Sequence, residues 1–280
     1  MKIAATVEEI RSAVKAWKKE GLSVGFVPTM GYLHEGHQSL MQKAVSENDR
    51  VVVSIFVNPM QFGPSEDLES YPRDLEKDAS LCEASGVDLI FHPEPKEMYH
   101  SDFSSFVDMH GLTESLCGKS RPAHFRGVCT VVTKLFNIVQ PDCAYFGQKD
   151  AQQLAVIQQM VRDLNLDVTV IGCPIIREAD GLAKSSRNSY LSADERKAAL
   201  VLSQALEVAK QLLANGEQNA AKIRNAISET IQAEPLAKVD YVELVDARTL
   251  QQVDSVERPV LVALAVYSGK TRLIDNFITE

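Results

Sequence analysis

The stretch V-G-F-V-P-T-M-G-Y-L-H-E-G-H, Val24 to His37, constrains the chain more than any other. It opens as a short apolar run, Val24 to Val27, bounded by turn residues, which is the pattern of a buried parallel strand. Pro28, Gly31 and Gly36 punctuate a turn. After His37, Leu40, Met41, Ala44 and Val45 recur at helical spacing. The order is strand, glycine-containing turn, helix, with two histidines at the turn. A helix start presents free backbone N–H groups and the positive end of its dipole, so it attracts phosphate. Gly36 has no Cβ to keep a ligand away. His34 and His37 add donors aimed at the same anion. The alternatives are an ordinary surface pair and metal ligation. H-E-G-H is one residue short of the H-E-x-x-H of zinc proteases, so its glutamate takes a different place on the helix face.

The chain has 280 residues, enough for one large domain or two of ordinary size. A formal net charge of -9 argues against a broad nucleic-acid or anionic-membrane surface and leaves room for a local basic pocket. Cys82, Cys117, Cys129, Cys143 and Cys173 are odd in number, with no C-x-x-C, and fit a reducing compartment. M-K-I-A-A-T-V-E-E-I carries two glutamates where a signal peptide would be apolar, and no apolar run approaches the length of a membrane span. A cytoplasmic soluble protein is expected.

Thr6-x-x-Glu9 reads as a capping box that opens a helix from about Val7 to Glu20, stopped by Gly21. A second buried strand, Val51 to Val57, ends in N-P-M-Q-F-G. Ligands gather at the carboxyl ends of parallel strands, so Asn58 and Gln61 sit where a polar substrate would be held; a plain Asn-Pro turn is the alternative. A helix over Asp74 to Ser85 and a strand over Val87 to Phe91 follow. Pro93 to Ser105 reads as loop, and Phe103 to Met109 as a short strand.

R-P-A-H-F-R-G-V packs Arg121, His124 and Arg126 just before an apolar helical stretch, either an anion-contact loop or solvated surface. Asp142 to Phe146 is a fourth strand, running into Gly147-Gln148-Lys149-Asp150 and a helix from about Asp150 to Leu164. This repeats the opening logic, with Lys149 as a positive charge at the helix start and Gln153 one turn on. A fifth strand, Val168 to Ile171, continues to Ile176. Arg177 to Asn188 is polar and mobile-looking. Its run Lys184, Ser185, Ser186, Arg187 suits a phosphate chain, and an ordinary interdomain linker has the same composition.

Ser192-x-x-Glu195 opens a long helix to about Ala214, and a further helix covers about Ala220 to Ala233. Three strand-like runs close the chain: Lys238 to Val245, Pro259 to Tyr267 and Leu273 to Ile278. Strands and helices no longer alternate, so this sheet is expected to be separate and antiparallel. The fold class is α/β with a smaller C-terminal α+β domain. The domains are 1-180, binding nucleotide and substrate, and 181-280, covering the active site, with the boundary near Asp180 to Leu191.

With these pieces located, the chain resembles the pantothenate synthetases, the pantoate–β-alanine ligase family, over essentially its whole length. The resemblance rests on PTMGYLHEGH (28–37), FVNPMQFG (56–63), YPRD (71–74), RPAHFRG (121–127), YFGQKDAQQ (145–153) and SSRN (185–188). One H-x-G-H is shared by many nucleotidyltransferases; six motifs in this order are highly specific. The resemblance implies a Rossmann-like domain, a homodimer, ATP with Mg²⁺, and pantoate and β-alanine as substrates. By motif, His34, His37, Lys149, Ser185, Ser186 and Arg187 are expected on the ATP phosphates, with Met30, Gly147 and Asp150 by the nucleotide; Lys184, outside the SSRN motif, is grouped with the ATP-binding residues for its charge beside them. Met30, Gln61 and Gln153 are expected to hold pantoate, with Asn58, Arg121 and His124 near it. His37, His34 and Lys149 are the expected catalytic groups, and no residue is assigned as a metal ligand. Two positions depart from the family pattern: Lys184 stands where an apolar residue is common, and Gln148 where an acidic one is frequent.

The implied chemistry is attack of the pantoate carboxylate on the α-phosphorus of ATP, then attack of the β-alanine amine on the mixed anhydride. Positioning and charge stabilisation carry such steps. The adenylate is labile to water, so a lid is expected, with Gly63 to Tyr71 as a candidate. Two other readings fit parts of the pattern. One is another adenylyl- or cytidylyltransferase with a different acceptor. The other is a nucleotide-binding regulatory protein without turnover.

Overall fold

A computed structural model of the chain describes residues 1–64 and 66–279. Ser65, within the expected lid segment, and Glu280, the last residue of the expected second domain, lie outside the described residues. The chain divides into two compact units. The first comprises Met1–His110, Arg121–Gln148 and Gln153–Pro174; the second comprises Gly111–Ser120, Lys149–Gln152 and Ile175–Glu280.

The first unit is built on β1 (Lys2–Ala4), α1 (Val7–Lys19), β2 (Val24–Thr29), α2 (Glu35–Glu47), β3 (Arg50–Ile55), α3 (Leu75–Ala84), β4 (Leu89–Phe91) and α4 (Pro95–Met98). After α5 (Leu116–Ser120), which belongs to the second unit, come α6 (His124–Val139), β5 (Cys143–Gly147), α7 (Ala151–Asp163) and β6 (Thr169–Cys173). The sheet is six-stranded and parallel in the order β1-β4-β3-β2-β5-β6. Successive strands lead away from β2 through β3 and β4, then return to its other side at β5. The switch point therefore lies between β2 and β5, and in such sheets ligands bind at the carboxyl ends there. Val51, Val52 and Val53 on β3 are all buried, as expected of a strand covered on both faces.

The capping box of α1 is present: Thr6 accepts from the Glu9 N–H while the Glu9 carboxylate accepts from the Thr6 N–H. Ile10 and Val14 face the core. Gly21, at φ +77°, ends the helix where a side chain would be strained. β2 runs two residues past Val27. Pro28 stays opposite Ser54 of β3, whereas the pairing of β2 with β5 stops at Phe26, so the missing proline N–H leaves no ladder bond unmade.

Three local expectations change. Phe103–Met109 is not a strand: the Val107 N–H donates to Thr130 Oγ1 of α6 at 3.0 Å, so a helix side chain takes the place of a neighbouring strand. The 93–105 loop contains the one-turn helix α4, started by Pro95 at its first position. The fifth strand stops at Cys173 rather than continuing to Ile176. The short edge strand β1 adds to the sheet beside β4.

The second unit packs α9 (Val201–Ala214) and α10 (Ala220–Gln232) on an antiparallel sheet, β7 (Ala237–Asp246), β8 (Val260–Ser268) and β9 (Thr271–Ile278), in that order. Ala205, Leu206, Ala209, Ile223, Ile227 and Ile231 meet Val262, Leu264 and Val266 in one core. The long helix expected from Ser192 is broken in two, α8 (Ala193–Ala198) and α9. The Leu200 N–H bonds the Lys197 carbonyl, three residues back, and the α-helical ladder is interrupted there.

Arg177–Asn188 is not a plain polar linker. Arg177 bridges Ala183 across a turn at Gly181, φ +95°. The Arg177 guanidinium grips buried Asp275 with two hydrogen bonds of 2.6 and 2.9 Å, and Arg196 ties down Glu178 and Asp180. The fold is α/β with a smaller α+β unit.

Candidate active site

In the first unit, β2 delivers Thr29 and Met30 into a reversal at Gly31, φ +86°, and Tyr32, φ +50°. A tyrosine in the left-handed region carries strain, and the surroundings must hold it. Asp78 of α3 does so. It is 1% exposed, and its carboxylate oxygens accept the Tyr32 N–H at 2.8 Å and the Leu33 N–H at 2.6 Å. Burial pushes this carboxyl above its usual range, with the two backbone hydrogen bonds pulling the other way. A Cβ on Gly31 would lie 3.0 Å from Asp78 Oδ2, so the glycine lets the carboxylate approach.

His34 is the N-cap of α2, which begins at Glu35, three residues before the start expected after His37. His34 Nδ1 accepts the Gly36 N–H at 3.1 Å, and His37 Nδ1 accepts the His34 N–H at 3.3 Å. The rings lie 4.1 Å apart between centroids. With Nδ1 committed as acceptor, the neutral rings carry their proton on Nε2. The first turn of α2 therefore combines two imidazole N–H donors with the helix's own N–H groups.

Asn58 and Gln61 follow β3 on a short 3₁₀ turn, Pro59–Gln61. Both side chains are buried, at 1% and 8% exposure. Asn58 Nδ2 donates to Gln61 Oε1 at 3.1 Å and to the Gly127 carbonyl at 3.2 Å; Gln61 Nε2 lies 3.2 Å from Met30 Sδ. Gly127 of α6 is needed here, because a Cβ would sit 2.3 Å from the Met60 carbonyl oxygen.

Arg121 lies in the loop just before α6, and His124 is the first residue of that helix. Both reach the Gln61 carbonyl oxygen, from Arg121 Nη2 at 3.3 Å and His124 Nδ1 at 3.0 Å. The Arg121 guanidinium also closes a two-point ion pair on Glu66, at 2.7 and 2.5 Å. Burial raises the Glu66 carboxyl, and the Arg121 guanidinium outweighs it, holding the group below its usual range. Arg126 points elsewhere, with its guanidinium 4.0 Å from the Phe106 ring centroid. Gly147 closes β5, and Gln153 lies half-buried on α7.

The second unit holds the remaining expected residues. Lys149 and Asp150 lie on a 3₁₀ turn before α7, 3.9 Å apart, with the Lys149 side chain 19% exposed. The Lys149 carbonyl accepts from Asn276 Nδ2 at 2.8 Å. Ser185 caps a second 3₁₀ turn, Ser186–Tyr190, by accepting the Arg187 N–H at 3.3 Å. Lys184 enters that turn with its N–H on the Ile176 carbonyl, and Asn188 Nδ2 fixes the turn against Glu178 and the Ala183 carbonyl.

A family model described as pantoate-beta-alanine ligase matches residues 2–278. The chain belongs to the pantoate–β-alanine ligase family. It is 63% identical over 280 residues to the pantothenate synthetase of Enterococcus faecalis, covering 100% of this chain and 99% of that one. It is 61% identical over 277 residues to that of Clostridium acetobutylicum, with 99% of each covered. The crystal structure of pantothenate synthetase from Thermus thermophilus superposes with a TM-score of 0.94 at 46% identity, covering 99% of both chains. A ligase from Francisella tularensis, solved with β-γ ATP and β-alanine, gives 0.81 at 36% identity, covering 99% of this chain and 97% of the other. The chain is a ligase of pantothenate biosynthesis that joins pantoate to β-alanine.

Within this ligase the first unit brings Met30, Asn58, Gln61, Arg121 and His124 into one hydrogen-bonded group. Sequence reasoning missed Asp78, Glu66 and the contact that requires Gly127. Asp78 stands among the charged residues of D-L-E-K-D, and Gly127 closes the RPAHFRG motif; nothing in the sequence names their partners. Among the described residues no group of three or more His, Cys, Asp or Glu is arranged to hold a metal ion, and no helix is long and apolar enough to cross a membrane.

Proposed function

We propose that the ligation proceeds through a pantoyl adenylate. The pantoate carboxylate oxygen attacks the α-phosphorus of ATP, forming an O–P bond as the bond to the β-phosphate oxygen breaks and pyrophosphate leaves. The neutral β-alanine amine then attacks the acyl carbon, loses a proton, and AMP departs with the C–O bond electrons. No enzyme nucleophile is needed, so catalysis is positioning and charge stabilisation.

The observation that carries this reading is the reciprocal cap of His34 and His37, which points both Nδ1 atoms at backbone N–H groups and commits Nε2 as donor. These donors, with the α2 N-terminus, suit ATP phosphate oxygens. Lys149, Lys184, Ser185, Ser186 and Arg187 supply further cations and hydroxyls for the phosphates, with Met30, Gly147 and Asp150 by the nucleotide. His37, His34 and Lys149 offset the charge that grows in the transition state. Gln61, Gln153 and Met30 hold pantoate. Asn58, Arg121 and His124 bear on it through Gln61, whose side chain and carbonyl they hold. Mg²⁺ enters with ATP as part of the substrate. Asp78 spends both carboxylate oxygens on backbone N–H groups. The working form is a cytoplasmic homodimer.

Pantoate-dependent exchange of labelled pyrophosphate into ATP, without β-alanine, tests this. The expected result is exchange that requires pantoate. Its absence, with β-alanine-dependent turnover intact, would remove the adenylate.

A further inference from the structure

The oxygen and nitrogen of an amide side chain are told apart by their partners. Asn58 has two that admit one answer. The Gly127 carbonyl accepts only, so the Asn58 atom 3.2 Å from it is Nδ2. The Met60 N–H donates only, so the atom 3.3 Å from it is Oδ1. Nδ2 has a second partner, Gln61 Oε1. The oxygen of Gln61 is thereby engaged, and its Nε2, with two N–H donors, is the end that lies by Met30 at the carboxyl end of β2.

The chain of donors begins one residue further back, at Tyr99, whose hydroxyl lies 2.8 Å from Asn58 Oδ1 and must donate to it. Burial pushes this phenol well above its usual range, so it stays protonated. The ring is held independently of the hydroxyl. It packs against Phe103 at 5.0 Å and Phe56 at 6.2 Å, and the Lys134 ammonium lies 5.7 Å from its centroid.

We infer that Tyr99 is a positioning residue for the carboxylic-acid substrate: through Asn58 it fixes Gln61 so that the glutamine presents donors and selects an acceptor oxygen of the acid. The inference rests on the assignment of Gln61 to pantoate. Tyr99 touches no substrate in this account; it acts at two hydrogen bonds' remove.

The test is a double-mutant cycle of Tyr99→Phe and Gln61→Ala, reading KM for pantoate and for ATP separately. Tyr99→Phe keeps the ring and removes one hydroxyl. It is expected to raise the pantoate KM about 3- to 10-fold and leave the ATP KM unchanged, the size of one lost hydrogen bond. In the Gln61→Ala background the same change is expected to add less than about twofold, because its target is gone. Equal effects on both substrates, full multiplication with Gln61→Ala, or a wild-type pantoate KM in Tyr99→Phe overturns the inference. If Gln61→Ala itself leaves the pantoate KM unmoved, the assignment of Gln61 fails and the inference falls with it. Gln61→Leu completes the same cycle if the alanine variant does not fold.

Discussion

His37 Nδ1 accepts the backbone N–H of His34 at 3.3 Å, so one ring both closes the start of α2 and sets its own tautomer. These two duties separate by substitution. Asn places an acceptor near the Nδ1 position and nothing at Nε2. His37→Asn is expected to melt close to wild type while losing on the order of 10²-fold or more in adenylation, the effect of removing one charge-stabilising donor. His37→Ala loses the same activity and a further ~1 kcal/mol of stability with the cap. Pyrophosphate exchange and thermal melts on both variants check the split. Wild-type exchange in His37→Asn would show that Nε2 does no chemistry.

Lys149→Ala is expected to lose on the order of 10²-fold or more in the same exchange assay. Asp150, 3.9 Å away and half-exposed, leaves the lysine's charge only weakly compensated. Exchange near wild type would remove Lys149 from the catalytic set.

Asp78→Asn is expected to destabilise the fold by about 1–3 kcal/mol, because an amide oxygen accepts where two carboxylate oxygens served and its NH₂ then faces a buried N–H donor. Tyr32 loses support for its left-handed backbone at the same time. Chemical denaturation measures the loss, and an unchanged midpoint would contradict the role given to Asp78.

How much of this was legible in the sequence follows from how local each signal is. The β2–α2 turn shows itself because apolar run, glycines and helical spacing all fall within one stretch, Val24 to Val45. The α1 capping box shows for the same reason. β1 did not, since three residues from Lys2 to Ala4 become a strand only by pairing with β4, far along the chain. Phe103–Met109 has strand composition, yet its partner is the Thr130 hydroxyl of a helix, which no period reveals. Arg121 and His124 were recognisable as a motif, but not the backbone carbonyl they share or the Glu66 that faces them. Asp78 and Tyr99 act through other residues, and such roles leave no pattern of their own.

Glu66 gives the pH dependence. Burial raises its carboxyl and Arg121 more than reverses this, so its folded pKa lies below the ordinary 4.5. A depressed carboxyl stabilises the fold above its unfolded pKa, and that stability is lost as pH falls through the folded value. Wild type is therefore expected to exceed Glu66→Gln in thermal midpoint at neutral pH, with the gap closing as pH falls below about 4.5. A gap that stays constant into acid would mean that the ion pair adds nothing to stability.

The most direct test of the account follows one atom. Pantoate labelled with heavy oxygen in its carboxylate is turned over with ATP and β-alanine, and the products are weighed by mass spectrometry. Passage through a pantoyl adenylate leaves one labelled oxygen in AMP, none in pyrophosphate, and the other in the new amide. Label in inorganic phosphate, with ADP as the nucleotide product, would mean an acyl phosphate instead and would contradict the mechanism assigned here.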